Sequence, residues 1–316
     1  MRIGIDIMGG DFAPDVVVKG AVESLPHLSA GHRIVLIGDK DAALRILAKE
    51  NADPAHFDFV HTTEVIQMGD NPYKSFSKLS DSSIVVGFKL LKTKQIDVFG
   101  SAGNTGAMMV GAMTVIKALK GVIRPTIAAL IPRSEGKYSL VLDVGLNPDA
   151  KPDVLYQYGI FGKVYAENVL NYQNPRVALL NIGSEPEKGN LVVKAAYELM
   201  ENNKDFNFFG NVEGSDFFKE SLPEVIVTDG FVGNILLKQA EAFYSLVKSR
   251  NIEDPFFEQF NFEHVGGTPV LGIDGNVLIA HGISRELAIK NLILQSVNVV
   301  NANLPEKFAA LFNEEK

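Results

Sequence analysis

The chain has 316 residues, 46% of them apolar, and its 30 Lys plus Arg against 38 Asp plus Glu give a formal charge of −8. That acidic balance argues against nucleic acid as the main partner, since a phosphate backbone is bound by a surplus of Lys and Arg, and equally against general adhesion to anionic lipid. The absence of cysteine excludes disulfides, thiolate metal sites, iron–sulfur clusters and a cysteine nucleophile. Met1-Arg2-Ile3-Gly4-Ile5-Asp6 meets an acid at once, unlike a signal or transit peptide. The uncharged run 98–116 is too rich in Gly, Ser and Asn in its first half to span a membrane. A soluble, cytoplasmic protein is expected.

Strand-like runs fall at 2–7, 33–37, 57–60, 97–99, 126–130, 138–142, 176–181, 207–209, 225–228 and 277–280. Helical stretches lie between them at 16–25, 40–49, 82–92, 106–119, 151–169, 190–201 and 234–248. This alternation predicts an α/β fold with a largely parallel sheet and helices on both faces. With no internal repeat, a single large domain over 1–316 is expected, with a protruding segment near 240–265.

In such sheets, functional groups collect on the loops that leave the carboxyl ends of strands. Six of these loops are rich in Gly, Asn and Asp: Met8-Gly9-Gly10-Asp11, the run 100–106, the run 143–147, the run 183–189, the run 210–214 and the run 229–234. Each alone could be a turn, because Gly and Asn suit positive φ. Together they suggest one shared cleft. The loop Gly100-Ser101-Ala102-Gly103-Asn104-Thr105-Gly106 precedes a helix start, a placement that turns backbone N–H groups toward an anion. It carries neither a P-loop nor a dinucleotide fingerprint.

Lys188 sits in a glycine-rich loop three residues after Glu185, so it reads either as a ligand-binding cation or as half of an exposed ion pair worth little. Lys238, at the start of a predicted helix, opposes the helix dipole, which favours an anion held there. The six histidines show no metal spacing; His281, between a strand and a helix, is the one to test. No G-x-S-x-G nucleophile elbow occurs. Lys74, Lys78, Lys89, Lys92 and Lys94 form a local basic run, a solvated face or a dock for an acidic protein. Phe243, Tyr244, Phe256, Phe257, Phe260 and Phe262 read as a subunit interface or as an apolar tip that meets lipid.

Met8-Gly9-Gly10-Asp11 with Pro14, Ser82-Ser83, Ser101 to Ala107, Leu142-Asp143-Val144-Gly145-Leu146-Asn147, Leu179 to Glu185 with Lys188-Gly189, Gly210-Asn211-Val212-Glu213-Gly214, Thr228 to Asn234 and His281-Gly282 resemble, in order and over nearly the whole chain, the bacterial phosphate acyltransferase family, PlsX. The resemblance implies a three-layer α/β/α fold akin to isopropylmalate dehydrogenases and phosphate acetyltransferases. It implies that inorganic phosphate attacks a long-chain acyl–acyl carrier protein, giving acyl phosphate for phosphatidic acid synthesis. It also implies a homodimer, contact with the inner face of the cell membrane, and delivery of product to a membrane glycerol-phosphate acyltransferase.

On that reading Lys188 neutralises phosphate or the oxyanion, Asn181 donates to it, and His281 protonates the departing thiolate. Gly10, Asp11, Ser101, Gly103, Asn104, Thr105, Asp143, Asn147, Glu185, Asn211, Glu213, Asp229, Asn234 and Lys238 line the phosphate and acyl sites. Phosphate is itself the nucleophile, so neither a cysteine nor a serine triad is called for, and no metal or cofactor is expected. Two alternatives stand beside it: an acetyl- or butyryltransferase using acyl-coenzyme A, and a non-enzymatic scaffold for carrier protein at the membrane.

Overall fold

The computed structural model describes residues 1–133 and 136–313. Eleven strands are formed: β1 (Arg2–Asp6), β2 (Arg33–Gly38), β3 (Phe57–His61), β4 (Val98–Ser101), β5 (Thr126–Pro132), β6 (Tyr138–Leu142), β7 (Arg176–Leu180), β8 (Asn207–Val212), β9 (Val225–Val227), β10 (Thr268–Leu271) and β11 (Asn276–Ile279). Where the sequence suggested one domain over 1–316, contacts divide the chain into two compact units, 1–118 with 262–305, and 119–261 with the segment from Glu306. The chain leaves the first unit and returns to it, so no break in composition marks the boundary.

In the first unit the strand order is β3-β2-β1-β4-β11-β10, parallel except for β10 against β11. In the second it is β5-β6-β9-β7-β8, parallel except for β5 against β6. The α/β class with a mostly parallel sheet is thus as the alternation predicted. β10 escaped notice because Pro269 interrupts a strand-like pattern. The helix expected over 106–119 is a helix over Thr105–Gly111 followed by a π turn, Ala112–Ile116.

Near-continuous apolar strands, buried on both faces, form the cores. Ile3, Ile5, Ile34 and Leu36 are buried on one face of the first unit's sheet, and Val35 and Ile37 on the other with Phe88 and Phe99, whose rings meet edge to face at 5.1 Å. Tyr158, Phe161 and Tyr165 fill the second, with Phe161 against Phe308 at 4.9 Å. Burial lifts the Tyr158 phenol above its usual range, and the nearby Asp143 carboxylate adds to that.

At the other strand ends of the second unit, Glu224 accepts from Arg133 Nη1 (2.9 Å) and Arg176 Nη2 (2.8 Å), and from the Arg176 backbone N–H (2.8 Å). Burial alone would raise this carboxyl, but the hydrogen bonds from Arg176 and Arg133 outweigh it and hold the carboxyl at about 2. A carboxyl depressed on folding contributes stability above its unfolded value and loses it as pH falls toward the folded one. Glu224→Gln is therefore expected to cost about 2 kcal/mol at neutral pH, a figure discounted because Arg176 is partly exposed. The gap to wild type should narrow below pH 4.5 in calorimetric melts; equal stability at neutral pH would contradict the assignment.

Candidate active site

From β1 the chain steps outward through β2 and β3, then returns to place β4 on β1's other side. The carboxyl ends of β1 and β4 thus form a topological switch point, where α/β sheets bind ligands. Asp6 ends β1 and is 1% exposed. Its Oδ1 accepts from Met8 N–H (2.9 Å) and its Oδ2 from the Ser101 hydroxyl (2.6 Å). Ser101 Oγ in turn accepts from Gly103 N–H (2.9 Å). A Cβ on Gly9 would lie 2.6 Å from both Asp6 Oδ2 and Gly103 N, so only glycine admits this approach. Gly10 follows, and Asp11 N–H donates to the Gly282 carbonyl at 2.8 Å, joining the His281 loop to the same cluster.

Asn104 is largely spent within the fold. Its Oδ1 caps the following helix through Ala107 N–H (3.0 Å), and its amide donates to the carbonyls of Gln67, Met68 and Asp70. Thr105 beside it is exposed. His281 Nδ1 accepts from Ile283 N–H (3.4 Å). Its ring lies 5.2 Å from that of Phe262.

In the second unit, Asp143 follows β6 and is fully buried. It accepts from the N–H groups of Gly145, Leu146 and Asn147 and from the Asn147 amide. Helix Gly230–Ser249 starts against this loop, capped by Asp229 through Val232 N–H (2.8 Å). Gly230 N–H donates to the Asn147 carbonyl, and the Asn234 amide to that of Val144. A Cβ on Gly233 would sit 1.9 Å from the Asp143 carbonyl oxygen, so glycine is required there too.

The loop after β7 is different. Asn181 Nδ2 donates to the Lys188 carbonyl (3.1 Å), and Asn211 Nδ2 and Lys188 N–H both donate to that of Glu185 (2.9 and 3.1 Å). The backbone is pinned while the Lys188 side chain stays exposed. No ion pair forms between Glu185 and Lys188 among the described residues. Asn211, 6% exposed, keeps its Oδ1 without a hydrogen-bond partner. Glu213 serves the next turn, its N–H donating to Asp216 (2.8 Å). Lys238 lies two turns into a helix that begins at Gly230 rather than 234, and it pairs with Glu241 at 2.8 Å. Distance from the helix end removes the dipole argument made for it.

The structure therefore gathers Gly10, Asp11, Ser101, Gly103, Asn104, Thr105 and His281 in the first unit. It gathers Asp143, Asn147, Asn181, Glu185, Lys188, Asn211, Asp229 and Asn234 at strand ends of the second. Sequence reasoning passed over Asp6; its signal is an acid inside an otherwise apolar strand. It also passed over Arg285, whose guanidinium lies 3.8 Å over the Phe12 ring. Arg285 further lines a cavity of about 500 Å³ with Lys19, Glu23, Glu50, Glu263 and Glu286, where four carboxylates disfavour an anion. Among the described residues, no cluster of His, Asp and Glu could hold a metal.

The mostly parallel α/β arrangement is shared with solved phosphotransacetylases. A phosphotransacetylase from Streptococcus pyogenes aligns with a TM-score of 0.65 at 16% identity, over 95% of this chain and 94% of that one. EutD phosphotransacetylase from Staphylococcus aureus aligns at 0.64 and 14%, with the same coverage. A family model described as "Fatty acid synthesis protein" matches residues 1–307. A phosphate acyltransferase of Dictyoglomus turgidum is 39% identical over 99% of this chain and 98% of its own. One of Halothermothrix orenii is 40% identical over 96% of each. The chain belongs to the phosphate acyltransferase family, PlsX, and is an acyltransferase.

Asn104 yields a structural test. Asn104→Ala removes a helix cap and the donors to three carbonyls, so a loss of about 2–3 kcal/mol is expected in denaturant unfolding. Asn104→Asp keeps the cap but turns an acceptor toward acceptors, and should be no more stable. Wild-type midpoints in both would show that the clasp contributes nothing.

Proposed function

We propose that the enzyme transfers a long-chain acyl group from acyl carrier protein to inorganic phosphate, supplying acyl phosphate for phosphatidic acid synthesis. A phosphate oxygen attacks the thioester carbonyl, the C–S bond breaks, and the thiolate leaves with a proton. Such a reaction needs anion capture and oxyanion stabilisation rather than a protein nucleophile. The observation that carries the reading is Lys188: an exposed cation with no ion-pair partner among the described residues, on a loop whose backbone Asn181 and Asn211 hold in place.

Roles are assigned unit by unit. In the second, Lys188 binds phosphate, and Asn181 and Asn211 set the loop that carries it. In the first, Gly10, Asp11 and Thr105 serve the thioester, and His281 gives a proton to the thiolate. Carrier-protein docking is assigned to the helix Pro72–Lys78, where Lys74 and Lys78 are exposed. Lys89 is less available because it donates to the Ser80 carbonyl, as is Lys92, 3.8 Å from Asp274. A basic face on an acidic enzyme confines attraction to one surface, which suits an acidic partner.

A homodimer is part of the proposal. Helix Gly230–Ser249 buries only Gly230, Gly233 and Val247, leaving Phe231, Ile235, Phe243 and Leu246 exposed on it. Phe256 and Phe257 instead pack on each other and on Phe260 and Phe243. No helix among the described residues is long and apolar enough to cross a membrane. Peripheral contact with the inner membrane face, where a glycerol-phosphate acyltransferase would take the product, completes the reading.

Mass detection of acyl phosphate, with acyl carrier protein and acyl-coenzyme A as rival donors, tests the activity. The carrier-protein thioester should be preferred, with a KM that rises with salt. Lys188→Ala should lower kcat/KM for phosphate about 100-fold at an unchanged melting temperature. Full turnover in that variant would remove Lys188, and preference for acyl-coenzyme A would favour an acetyl- or butyryltransferase. For the dimer, Leu246→Glu should yield monomers in sedimentation equilibrium; a dimer that persists would move the interface elsewhere.

A further inference from the structure

We propose that Asp6 is a positioning residue for acyl transfer, acting through the Ser101 hydroxyl to fix the turns after β1 and β4. This rests on the reading that those turns serve the thioester. β1 is apolar on either side of Asp6, with Ile3, Ile5 and Ile7 all buried. A carboxylate in such a place is costly unless hydrogen bonds compensate it. Here they come from both turns at once: Met8 N–H on the β1 side and the Ser101 hydroxyl on the β4 side. The strands are in register beneath them, with Ile5 opposite Gly100.

Serine has one proton to give, and at 2.6 Å from Asp6 Oδ2 that proton is committed. Its oxygen accepts from Gly103 N–H. Ser101 is thus no donor to phosphate or to an oxyanion, and Gly103 N–H faces inward. What the relay leaves outward is the next stretch, ending at the exposed Thr105 hydroxyl. The assignment made from sequence narrows accordingly: Ser101 and Gly103 hold, and Thr105 is presented.

Burial lifts the Asp6 carboxyl above the usual carboxylate range, against hydrogen bonds from Ser101, Ser83, Met8 and Gly9 that lower it. Those are the groups that face it, and none is charged. A carboxyl raised on folding detracts from stability once pH exceeds the unfolded value. Asparagine removes that cost but puts an amide N–H2 in place of one of the two accepting oxygens, so its effects on stability oppose each other. A positioning role is therefore separated from a purely structural one by turnover of the folded protein, not by stability.

Purified Asp6→Asn protein separates the two. We expect kcat of the folded variant to fall at least about tenfold at neutral pH, with KM for phosphate unchanged. The acid limb that ionisation of Asp6 gives the wild-type kcat profile should disappear in the variant. Ser101→Ala should show the same loss, and the double variant no further loss, because the two act as a unit. Wild-type turnover in Asp6→Asn, additive losses in the double variant, or activity lost only in step with melting temperature would each overturn the proposal. If wild type itself makes no acyl phosphate, the functional reading has failed and the positioning role, which rests on it, falls with it; wild-type acyl phosphate formation with undiminished Asp6→Asn turnover overturns the positioning role alone.

Discussion

The N–H groups that open a helix have no helical carbonyl to pair with, and in a parallel sheet every crossover helix starts just past a buried strand end. In this fold short side chains supply the missing acceptors. Asp39, Asn71, Ser82, Asn104, Asn190 and Asp229 each cap the helix that follows through their own oxygen. The requirement fixes the chemistry of these turns before any ligand is considered. A loop that must cap a helix and approach a neighbouring strand is built from Gly, Asn, Asp and Ser, the residue types that also bind anions.

That double use explains the contrast between the turns after β6 and β7. Asp143 ties its own loop shut and seats the start of helix Gly230–Ser249, with every contact aimed at protein. The loop after β7 uses side-chain amides to hold backbone carbonyls instead. Its ordering cost is met by Asn181 and Asn211, so the lysine it bears need not pair with a neighbouring carboxylate to be held. A cation fixed by its backbone, rather than by a salt bridge, keeps its charge for an anion from outside.

Much of this was legible in the sequence, and the limits have physical causes. Strand runs such as 33–37 and 138–142 announced themselves because strands buried on both faces are apolar throughout. The helix at 230 was placed four residues late, since Gly230 to Gly233 looks like loop until Asp229 is known to cap it. Loop residues were found as a set but not sorted. Asn104 and Thr105 are adjacent and equally polar, yet one clasps three carbonyls while the other is exposed. Spacing along a chain cannot tell which partner a short side chain will find across it. Asp6 was missed for the opposite reason: the partners it finds beyond its own turn, Ser83 and Ser101, stand far along the chain.

Asp6 and Asp143 together sharpen what a buried carboxylate means here. Asp6 ends β1 and Asp143 follows β6, and neither is more than 1% exposed. Beyond its own loop the Asp143 carboxylate accepts from the Ile127 backbone N–H, and within the loop from three backbone N–H groups and the Asn147 amide. Asp6 takes part of its compensation from side-chain hydroxyls, whose protons rotate at little cost. The Ser101 hydroxyl thereby ties the turn after β4 to the turn after β1, at the switch point of the sheet. The same residue type, under the same burial, thus closes a loop on itself in one unit and joins two strand ends in the other, and the difference lies in which donors the turns provide.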